Sequence, residues 1–389
     1  MKILQVCQSF PPCFASGGVA RVVYEISKEL AYQGNCMTVY TTDGCAELTG
    51  NNKIPKDVDG IKVYYFKNLS KKLKSRFKIT NPYYLFWIAR KDIKNFDVIH
   101  VHEHRTILAV IIHHYSKKYG IPYVIQSHGS VGYYSKSLFK KLFDSLCGFN
   151  ILSDANKAIA LNETEFEEYS KMGVAPDKIE IIPNGVNLGD FSKLPQKGEF
   201  KRKFQIKDNE KIILYLGRLN KSKGIDILIK QFDKLKKNIT NVKLVIVGPD
   251  DGYLSELKIL TDELRLTDEI LFTGPLYNSD KLEAYIDADV FVTPHFSGFP
   301  ITFLESCACG TPIITTNYGD KLEWINKVGY VVDYNGQYEL KDVMLNLLNN
   351  EKLIAKFGEN GKIIVKEKFD WVLVTKIIEK TYISILKDN

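Results

Sequence analysis

Glu305 is the only charge in an apolar segment in the second half of the chain. The stretch 291–316 contains a short β-prone run, a loop with two prolines and a glycine, and the compact segment Ile301–Cys309. Burying an unpartnered carboxylate is costly. Glu305 therefore either points to water from a capped helix or is held to accept hydrogen bonds from hydroxyl groups, such as those of a ribose.

A cationic loop precedes this stretch. Between Gly217 and Gly224 the chain reads Arg-Leu-Asn-Lys-Ser-Lys, so that Arg218 and Lys223 follow a predicted strand and precede a helix. Arg can donate to two phosphate oxygens and Lys adds a point charge. The loop is either a solvated basic turn or a binding site for a diphosphate leaving group, and its place at a strand end favours the second interpretation.

Two features of the first half could contribute to such a site. Gly17 and Gly18 lie between a strand and an amphipathic helix, where they form either an anion site or only a turn. His128 follows the strand Tyr123–Ser127, at the end where parallel sheets bind ligands, although it could equally be a histidine bonded inside a loop. The side chains of 102–105 alternate in direction, so no metal site is predicted there.

Strands and helices alternate along the chain and would position these groups. Apolar runs such as Ile3–Cys7 and Ile212–Gly217 read as buried strands, each followed by a helical pattern. This alternation predicts an α/β protein with two doubly wound, Rossmann-like parallel sheets facing a cleft.

The length of 389 residues is suitable for two domains. The polar segment 190–209 reads as a linker, which divides the chain into 1–190 and 191–370. The last segment, 371–389, is helical in pattern and is predicted to pack back onto the first domain.

Composition limits the class of protein. A net charge of +7 suits an anionic ligand or surface but does not call for nucleic acid. No run approaches the ~20 apolar residues of a membrane span, and the seven cysteines show no Cys-x-x-Cys spacing, so we expect a cytoplasmic protein.

One segment could still reach a membrane surface. Residues 67–78 contain six basic residues in twelve, interleaved with leucine and phenylalanine, and Lys136–Phe143 has a similar character. The segment is either a solvated surface helix or a peripheral contact with an anionic membrane.

The ordered set of motifs resembles one family. In the second half they are Gly217–Arg218–Leu219 with Lys223–Gly224, Val247–Gly248, Phe272–Gly274 and Pro294–Pro312. In the first half they are Phe10–Pro12, Gly17–Gly18, His128–Gly129 and Ile182–Val186. Each piece is weak alone, but the whole set spans nearly the entire chain and resembles the group 1 retaining glycosyltransferases of the GT-B fold.

The resemblance implies retaining transfer of a sugar from a nucleotide diphosphate sugar to a hydroxyl acceptor, without a metal or other cofactor. It implies catalytic roles for Arg218 and Lys223, which would offset charge on the departing diphosphate, and for His128, beside the transferred sugar. Glu305 would accept the ribose hydroxyls. The other donor-binding residues that it implies are Gly17, Gly18, Gly274, Leu276, Ser297, Phe299, Ile301 and Thr302.

The resemblance also implies the partners and the chemistry. The first domain would bind a glycan or lipid-linked glycan acceptor, in cell-surface polysaccharide or glycolipid synthesis, and the second would bind the nucleotide sugar. No motif residue is an evident nucleophile, so we expect front-face chemistry in which the leaving phosphate helps to deprotonate the acceptor hydroxyl.

One position departs from the family pattern. The family commonly carries two glutamates seven residues apart, and Ser297 stands where the first is expected. A sugar-nucleotide-binding protein with weak or no transferase activity is therefore an alternative. A nicotinamide-dependent oxidoreductase would also suit doubly wound sheets, but the Gly-x-Gly-x-x-Gly fingerprint is missing after the first strand.

Overall fold

The structure is a computed structural model and describes residues 1–12, 18–43, 55–69, 80–132, 138–317, 320, 322–334 and 339–387. The chain forms two compact units, Met1–Gly185 with Trp371–Asn389, and Val186–Asp370. The boundary falls at Gly185, whereas the sequence placed it at 190.

The first unit is built on a sheet with the strand order β3-β4-β2-β1-β5-β6-β7-β8 in the described part of the chain. The strands are β1 Lys2–Val6, β2 Cys36–Thr42, β3 Lys56–Val58, β4 Ile61–Phe66, β5 Val98–His102, β6 Tyr123–Gln126, β7 Lys157–Ala160 and β8 Ile179–Ile181. All described neighbours pair in parallel except β3 and β4. The order reverses between β1 and β5, which makes the sheet doubly wound.

Helices cover this sheet. They are α1 Gly18–Tyr32, α2 Leu85–Asp92, α3 Ile107–Tyr119, α4 Leu138–Phe143, α5 Phe149–Ser153 and α6 Glu163–Lys171. A π-helical turn, Asp144–Gly148, joins α4 to α5. Side-chain caps define two helix starts: Thr106 accepts from the Ala109 amide and Asn162 accepts from the Glu165 amide.

The second unit contains a parallel sheet with the order β11-β10-β9-β12-β13-β14 among its described residues. The strands are β9 Lys211–Leu216, β10 Val242–Val247, β11 Ile270–Gly274, β12 Val290–Thr293, β13 Ile313–Thr316 and β14 Gly329–Val332. The helices are α7 Glu199–Lys203, α8 Ile225–Lys236, α9 Leu254–Glu263, α10 Asn278–Asp287, α11 Ile301–Cys309, α12 Leu340–Leu348 and α13 Glu351–Lys368. Here the order reverses between β9 and β12.

The segment 190–209, whose polar composition predicted a linker, belongs to the second unit. It contains α7, whose Phe200 is fully buried. The Lys201 amide donates to the Asp287 carboxylate over 2.8 Å. One buried aromatic side chain and one buried carboxylate therefore attach the segment to the second unit.

The last helix, α14 Trp371–Lys387, belongs to the first unit. Gln33 Nε2 donates to Thr375 Oγ1 over 2.9 Å, and Asn35 Nδ2 donates to Glu379 Oε1 over 2.8 Å. Helix α14 thus packs on the first sheet and on α1. No helix in the described part of the chain is long and apolar enough to cross a membrane.

Candidate functional site

Two loops flank the point where the strand order of the second sheet reverses. Loop 217–224 follows β9, and loop 294–300 follows β12. The loops are in contact, because a Cβ built on Gly224 would lie 2.9 Å from His295 Nδ1. Doubly wound sheets bind ligands beside such a reversal. The structure therefore brings the predicted cationic loop and the predicted Pro/Gly loop together.

The cationic loop carries two basic side chains in different environments. Arg218 Nη1 lies 3.1 Å from Asp251 Oδ2, and the Arg218 side chain is 57% exposed. Lys223 is half-buried, and burial lowers its pKa, with the positive charge of Arg218 as the second cause. No described carboxylate pairs with Lys223. An anionic group beside Lys223 would offset both causes of the shift.

Glycines allow the ends of three strands to approach one another. Gly248 has φ 149°, and a Cβ there would lie 1.8 Å from the Gly217 carbonyl oxygen. The Gly248 amide donates to the Gly274 carbonyl over 3.0 Å. Only glycine at 248 therefore permits the backbones of residues 217 and 248 to approach this closely. Leu276, which was predicted to contact the donor, is half-buried just after Gly274.

Glu305 is buried and partnered, so it does not point to water. Lys281 Nζ on α10 lies 2.6 Å from Glu305 Oε1, and the two side chains are 16% and 6% exposed. The Tyr285 hydroxyl lies 3.3 Å from Glu305 Oε2 and also 3.3 Å from the Thr302 carbonyl oxygen. A carboxylate oxygen can accept two hydrogen bonds, so these contacts orient Glu305 and leave it acceptor capacity.

The Pro/Gly loop ends in a helix start without a side-chain cap. Helix α11 begins at Ile301 after Pro300, and no side chain among the described residues accepts from its first amides. The positive end of the helix dipole and the amides of Ile301 and Thr302 favour an anion. Phe299 is buried, with its ring centroid 5.3 Å from that of Phe369.

Ser297 is exposed on the same loop. The next residue, Gly298, has φ 72°, and its amide donates to the Asp320 carboxylate. Asp320 is thus a carboxylate near Ser297 that the sequence analysis did not identify. No sequence pattern predicts that the carboxylate of a single loop aspartate accepts from the amide of residue 298.

In the first unit, His128 lies on a strained loop after β6. His128 has φ 55° and Gly129 has φ 76°. The Gly129 amide donates to Glu165 Oε1 over 2.7 Å, and the Ser127 amide donates to the Tyr169 hydroxyl over 2.8 Å. A non-glycine residue in this region costs about 1–2 kcal/mol, and such strain persists where surrounding bonds fix the backbone.

A buried ion pair fixes the far end of this loop. Arg105 Nε and Nη2 each donate to the Asp144 carboxylate over 2.8 Å. Arg105 Nη2 also donates to the Val131 carbonyl over 2.8 Å, and Nη1 donates to the Ser130 carbonyl. The fork of the guanidinium group thus connects the π-helical turn to the loop that carries His128.

Strand β5 carries two buried histidines, His100 and His102. His100 and His102 lie on the same face of the strand, with ring centroids 4.2 Å apart, and His102 Nδ1 lies 2.8 Å from His128 Nε2. Burial lowers the pKa of His100 to about 3 and that of His102 well below its usual value. The described residues contain no cluster of His, Cys, Asp or Glu suited to a metal ion.

Comparison with known protein families identifies the family to which this chain belongs. A model of "Glycosyl transferases group 1" matches residues 196–363, and a model of "Glycosyltransferase Family 4" matches residues 16–190. The chain belongs to the group 1 glycosyltransferases. The two models together span most of both units, and the prediction of a group 1 glycosyltransferase is confirmed.

Similar proteins agree with this assignment. The alpha-monoglucosyldiacylglycerol synthase of Streptococcus pneumoniae is 26% identical over 85% of this chain and 75% of its own. The structure of sucrose-phosphate synthase from Thermosynechococcus elongatus matches with a TM-score of 0.81 at 20% identity, covering 100% of both chains. Anabaena HepE in complex with UDP-glucose matches with a TM-score of 0.77 at 19% identity, covering 99% of this chain and 100% of its own. The glycosyltransferase therefore has the predicted GT-B fold.

Some predicted residues of this glycosyltransferase are only partly described. Gly18 is the first residue of α1, and a Cβ on it would meet no described atom within 4 Å. Gly17 lies outside the described residues, as does most of the basic segment 67–78, of which the structure describes only residues 67–69.

Proposed function

We propose that this glycosyltransferase transfers a sugar from a nucleotide diphosphate sugar to a hydroxyl acceptor, with retention at the anomeric carbon and without a metal. The contact between the loops after β9 and β12 carries this proposal, because one loop bears two cations and the other leads into a helix start without a described side-chain cap. Such a site suits a diphosphate. The UDP-glucose bound to HepE supports a nucleotide sugar as donor.

The leaving group accounts for the two cations. As the bond between C1 and the phosphate oxygen breaks, negative charge grows on the diphosphate. Arg218 and Lys223 would stabilise that charge, which is usually the largest catalytic contribution of a site of this kind. Burial and the positive charge of Arg218 both lower the pKa of Lys223 and so disfavour its charged form. A dianionic group beside Lys223 would stabilise that charged form, which favours binding of the group.

Glu305 would bind the nucleoside. Its carboxylate is fixed by Lys281 and Tyr285 and retains lone pairs that can accept from the two ribose hydroxyls. The first-turn amides of Ile301 and Thr302 would contact the sugar and phosphate, and Gly274 and Leu276 would contact the base. Gly17 and Gly18 would allow close backbone approach.

The reaction itself would take place on one face of the sugar. The acceptor oxygen bonds to C1 on the side from which the phosphate departs, and its proton passes to a phosphate oxygen of the leaving group. His128 would contact the transferred sugar. This arrangement needs no enzyme nucleophile, and a trapped covalent glycosyl-enzyme would contradict it.

A second candidate is a sugar-nucleotide-binding protein with weak or no transferase activity, and exposed Ser297 favours it. Asp320, whose carboxylate accepts from Gly298, provides a carboxylate near the missing glutamate. Release of nucleoside diphosphate by the purified protein, measured with UDP-, GDP- and ADP-sugars and a panel of acceptors, separates the two candidates. Binding without release in every combination would support the second.

We also propose that the acceptor is a glycan or lipid-linked glycan, in polysaccharide or glycolipid synthesis at the cytoplasmic face of a membrane. The lipid product named for the Streptococcus relative supports this class. Four apolar side chains on α4 and the π-helical turn are each more than half exposed, next to exposed Lys140 and Lys141; they are Leu138, Phe139, Leu142 and Leu146. Exposed apolar groups flanked by lysines suit an anionic lipid surface.

Vesicle binding tests the membrane contact. Replacing Lys140 and Lys141 by Gln should weaken binding to anionic vesicles at least about tenfold, because each Lys near such a surface contributes ~1 kcal/mol. The control is Gln at Lys234 and Lys237, on α8 and just after it, which makes the same charge change in the second unit. Equal binding by both double variants would refute the contact.

A further inference from the structure

A chain of buried hydrogen bonds runs from the last helix to His128. Gln5 Nε2 donates to the Tyr382 hydroxyl over 3.3 Å, and Gln5 Oε1 lies 2.6 Å from His102 Nε2. His102 Nδ1 lies 2.8 Å from His128 Nε2. This series of hydrogen bonds joins α14, β1, β5 and the loop after β6. Two of its members, Gln5 and Tyr382, are 377 positions apart in the sequence.

The hydrogen bonds determine which ring nitrogens carry protons. The amide oxygen of Gln5 can only accept, so His102 Nε2–H donates to it. A neutral imidazole has one N–H, so His102 Nδ1 is bare and accepts from its neighbour. His128 Nε2–H is then the donor, and the remaining nitrogen of His128, Nδ1, is bare.

The surroundings keep the histidines of this hydrogen-bond series uncharged. The Gln5, His100 and Tyr382 side chains are fully buried and His102 is 1% exposed. Burial lowers the pKa of His128 to about 3, so the neutral ring is the form present at pH 7. The Tyr382 hydroxyl lies 2.7 Å from His100 Nδ1. His100 is therefore the last member of the hydrogen-bond series, counted from His128.

His128 Nδ1 is left for a ligand. In the described part of the protein no residue forms a hydrogen bond with this atom, and His128 as a residue is only half-buried. The positive φ of His128 and the bonds from Glu165 and Tyr169 to its loop fix the backbone that carries the ring. A fixed backbone and a fixed proton position together make a preorganised acceptor.

We propose that Tyr382, Gln5 and His102 are positioning residues that hold His128 as the Nε2–H tautomer, so that its bare Nδ1 accepts a hydrogen bond from a hydroxyl of the sugar substrate. This inference rests on the proposed function for the identity of the ligand, but the tautomer itself does not. The C-terminal helix thereby contributes to the site through three intervening hydrogen bonds.

A pair of variants at His102 separates positioning from packing. In His102→Asn, the side-chain oxygen can replace Nδ1 as the acceptor for His128 Nε2–H, whereas His102→Leu removes every acceptor. Both lose the bond to Gln5 and both change the buried volume. His114→Leu is the control, because His114 is exposed on α3 and lies outside the chain of bonds.

The decisive measurement is a long-range ¹H–¹⁵N spectrum of the full-length protein with ¹⁵N-labelled histidine, in which His128→Gln assigns the signal. We expect a protonated Nε2 and a bare Nδ1 at His128 in the wild type, in His114→Leu and in His102→Asn, and loss of that preference in His102→Leu. A protonated Nδ1 in the wild type, or an unchanged spectrum in His102→Leu, would overturn the proposal.

Kinetics provide the second readout. His102→Leu should lower kcat about ten- to hundredfold, as loss of a residue that orients a ligand-binding histidine does, while nucleoside diphosphate binding stays unchanged. His102→Asn should recover most of kcat. Equal losses in both variants would mean that His102 only packs. Should the wild type turn over no donor, the proposed function fails, and the spectrum still decides the tautomer.

Discussion

Arg218 and Lys223 repel each other in the loop after β9, and only Arg218 has a described carboxylate, Asp251, as a partner. This repulsion between two positive charges is unfavourable in the protein without ligand. A diphosphate would remove the repulsion, and its growing charge during bond cleavage would strengthen both contacts. The unpaired environment of Lys223 is therefore a reason to expect it to act on the leaving group.

Replacing either cation by Ala should lower turnover at least roughly tenfold, because a stabiliser of transition-state charge is lost. Lys221→Ala is the matched control from the same loop: its Nζ lies 3.9 Å from Glu256 and its side chain is 79% exposed. Steady-state rates of nucleoside diphosphate release compare the three variants. Wild-type rates in both Arg218→Ala and Lys223→Ala would remove the diphosphate assignment.

The pair of Glu305 and Lys281 affects stability as well as binding. Lys281→Met leaves the Glu305 carboxylate buried without its cation, and we expect a loss of about 3 kcal/mol in the free energy of unfolding. Adding Glu305→Gln to Lys281→Met should recover part of that loss, because no charge then remains buried. Urea unfolding of the wild type, the single and the double variant measures this. A double variant less stable than Lys281→Met would contradict the argument.

At the scale of elements, the close approach of Gly217 and Gly248, just after β9 and β10, sets the shape of the cationic loop. Gly248→Ala would place Cβ 1.8 Å from the Gly217 carbonyl oxygen and must displace the loop that carries Arg218. Gly252→Ala is the control, since it has φ 85° and open space around its Cβ.

We expect Gly248→Ala to lower the free energy of unfolding by about 3 kcal/mol, as overpacking against backbone does, and to weaken nucleotide binding. Gly252→Ala should cost only the ~1–2 kcal/mol of a left-handed backbone and leave binding intact. Denaturant unfolding and calorimetric titration with nucleoside diphosphate test both effects. Equal effects of the two substitutions would mean that the close approach of Gly217 and Gly248 does not shape the site.

Local patterns allowed most strands to be predicted from the sequence. Runs such as Val242–Val247 are buried on both faces and read as continuous apolar segments. The helix Ile301–Cys309 was predicted within its observed bounds because Pro300 and Gly310 flank it. The short antiparallel strand β3, Lys56–Val58, was missed because three mostly exposed residues show no apolar pattern.

Long-range partners of the site residues could not be predicted. The sequence implied that Glu305 needs a partner, but Lys281 lies 24 residues away on another helix. Gln5 and Tyr382 are 377 positions apart, and only the packing of α14 on the first sheet brings them together. The contact of His102 with His128 was not predicted either, because β5 and the loop after β6 come together only in the folded sheet.

At the scale of the whole molecule, ligand binding should stabilise the protein. A nucleoside diphosphate at a hundred times its Kd would add about 2.7 kcal/mol to the stability of the unit that binds it. A thermal-shift screen with UDP, GDP and ADP should therefore raise Tm for one base above the others. The same shift in the Arg218→Ala, Lys223→Ala double variant would show that the ligand binds elsewhere.

The stereochemistry of the product tests the central claim most directly. The ¹H NMR spectrum of a reaction with an α-linked nucleotide diphosphate sugar and a hydroxyl acceptor, in the presence of EDTA, reports both transfer and the anomeric configuration of the new bond. We predict a new α-glycoside and one equivalent of nucleoside diphosphate. A β-glycoside, or no glycoside from any UDP-, GDP- or ADP-sugar with any acceptor, would contradict a retaining, metal-independent glycosyltransferase.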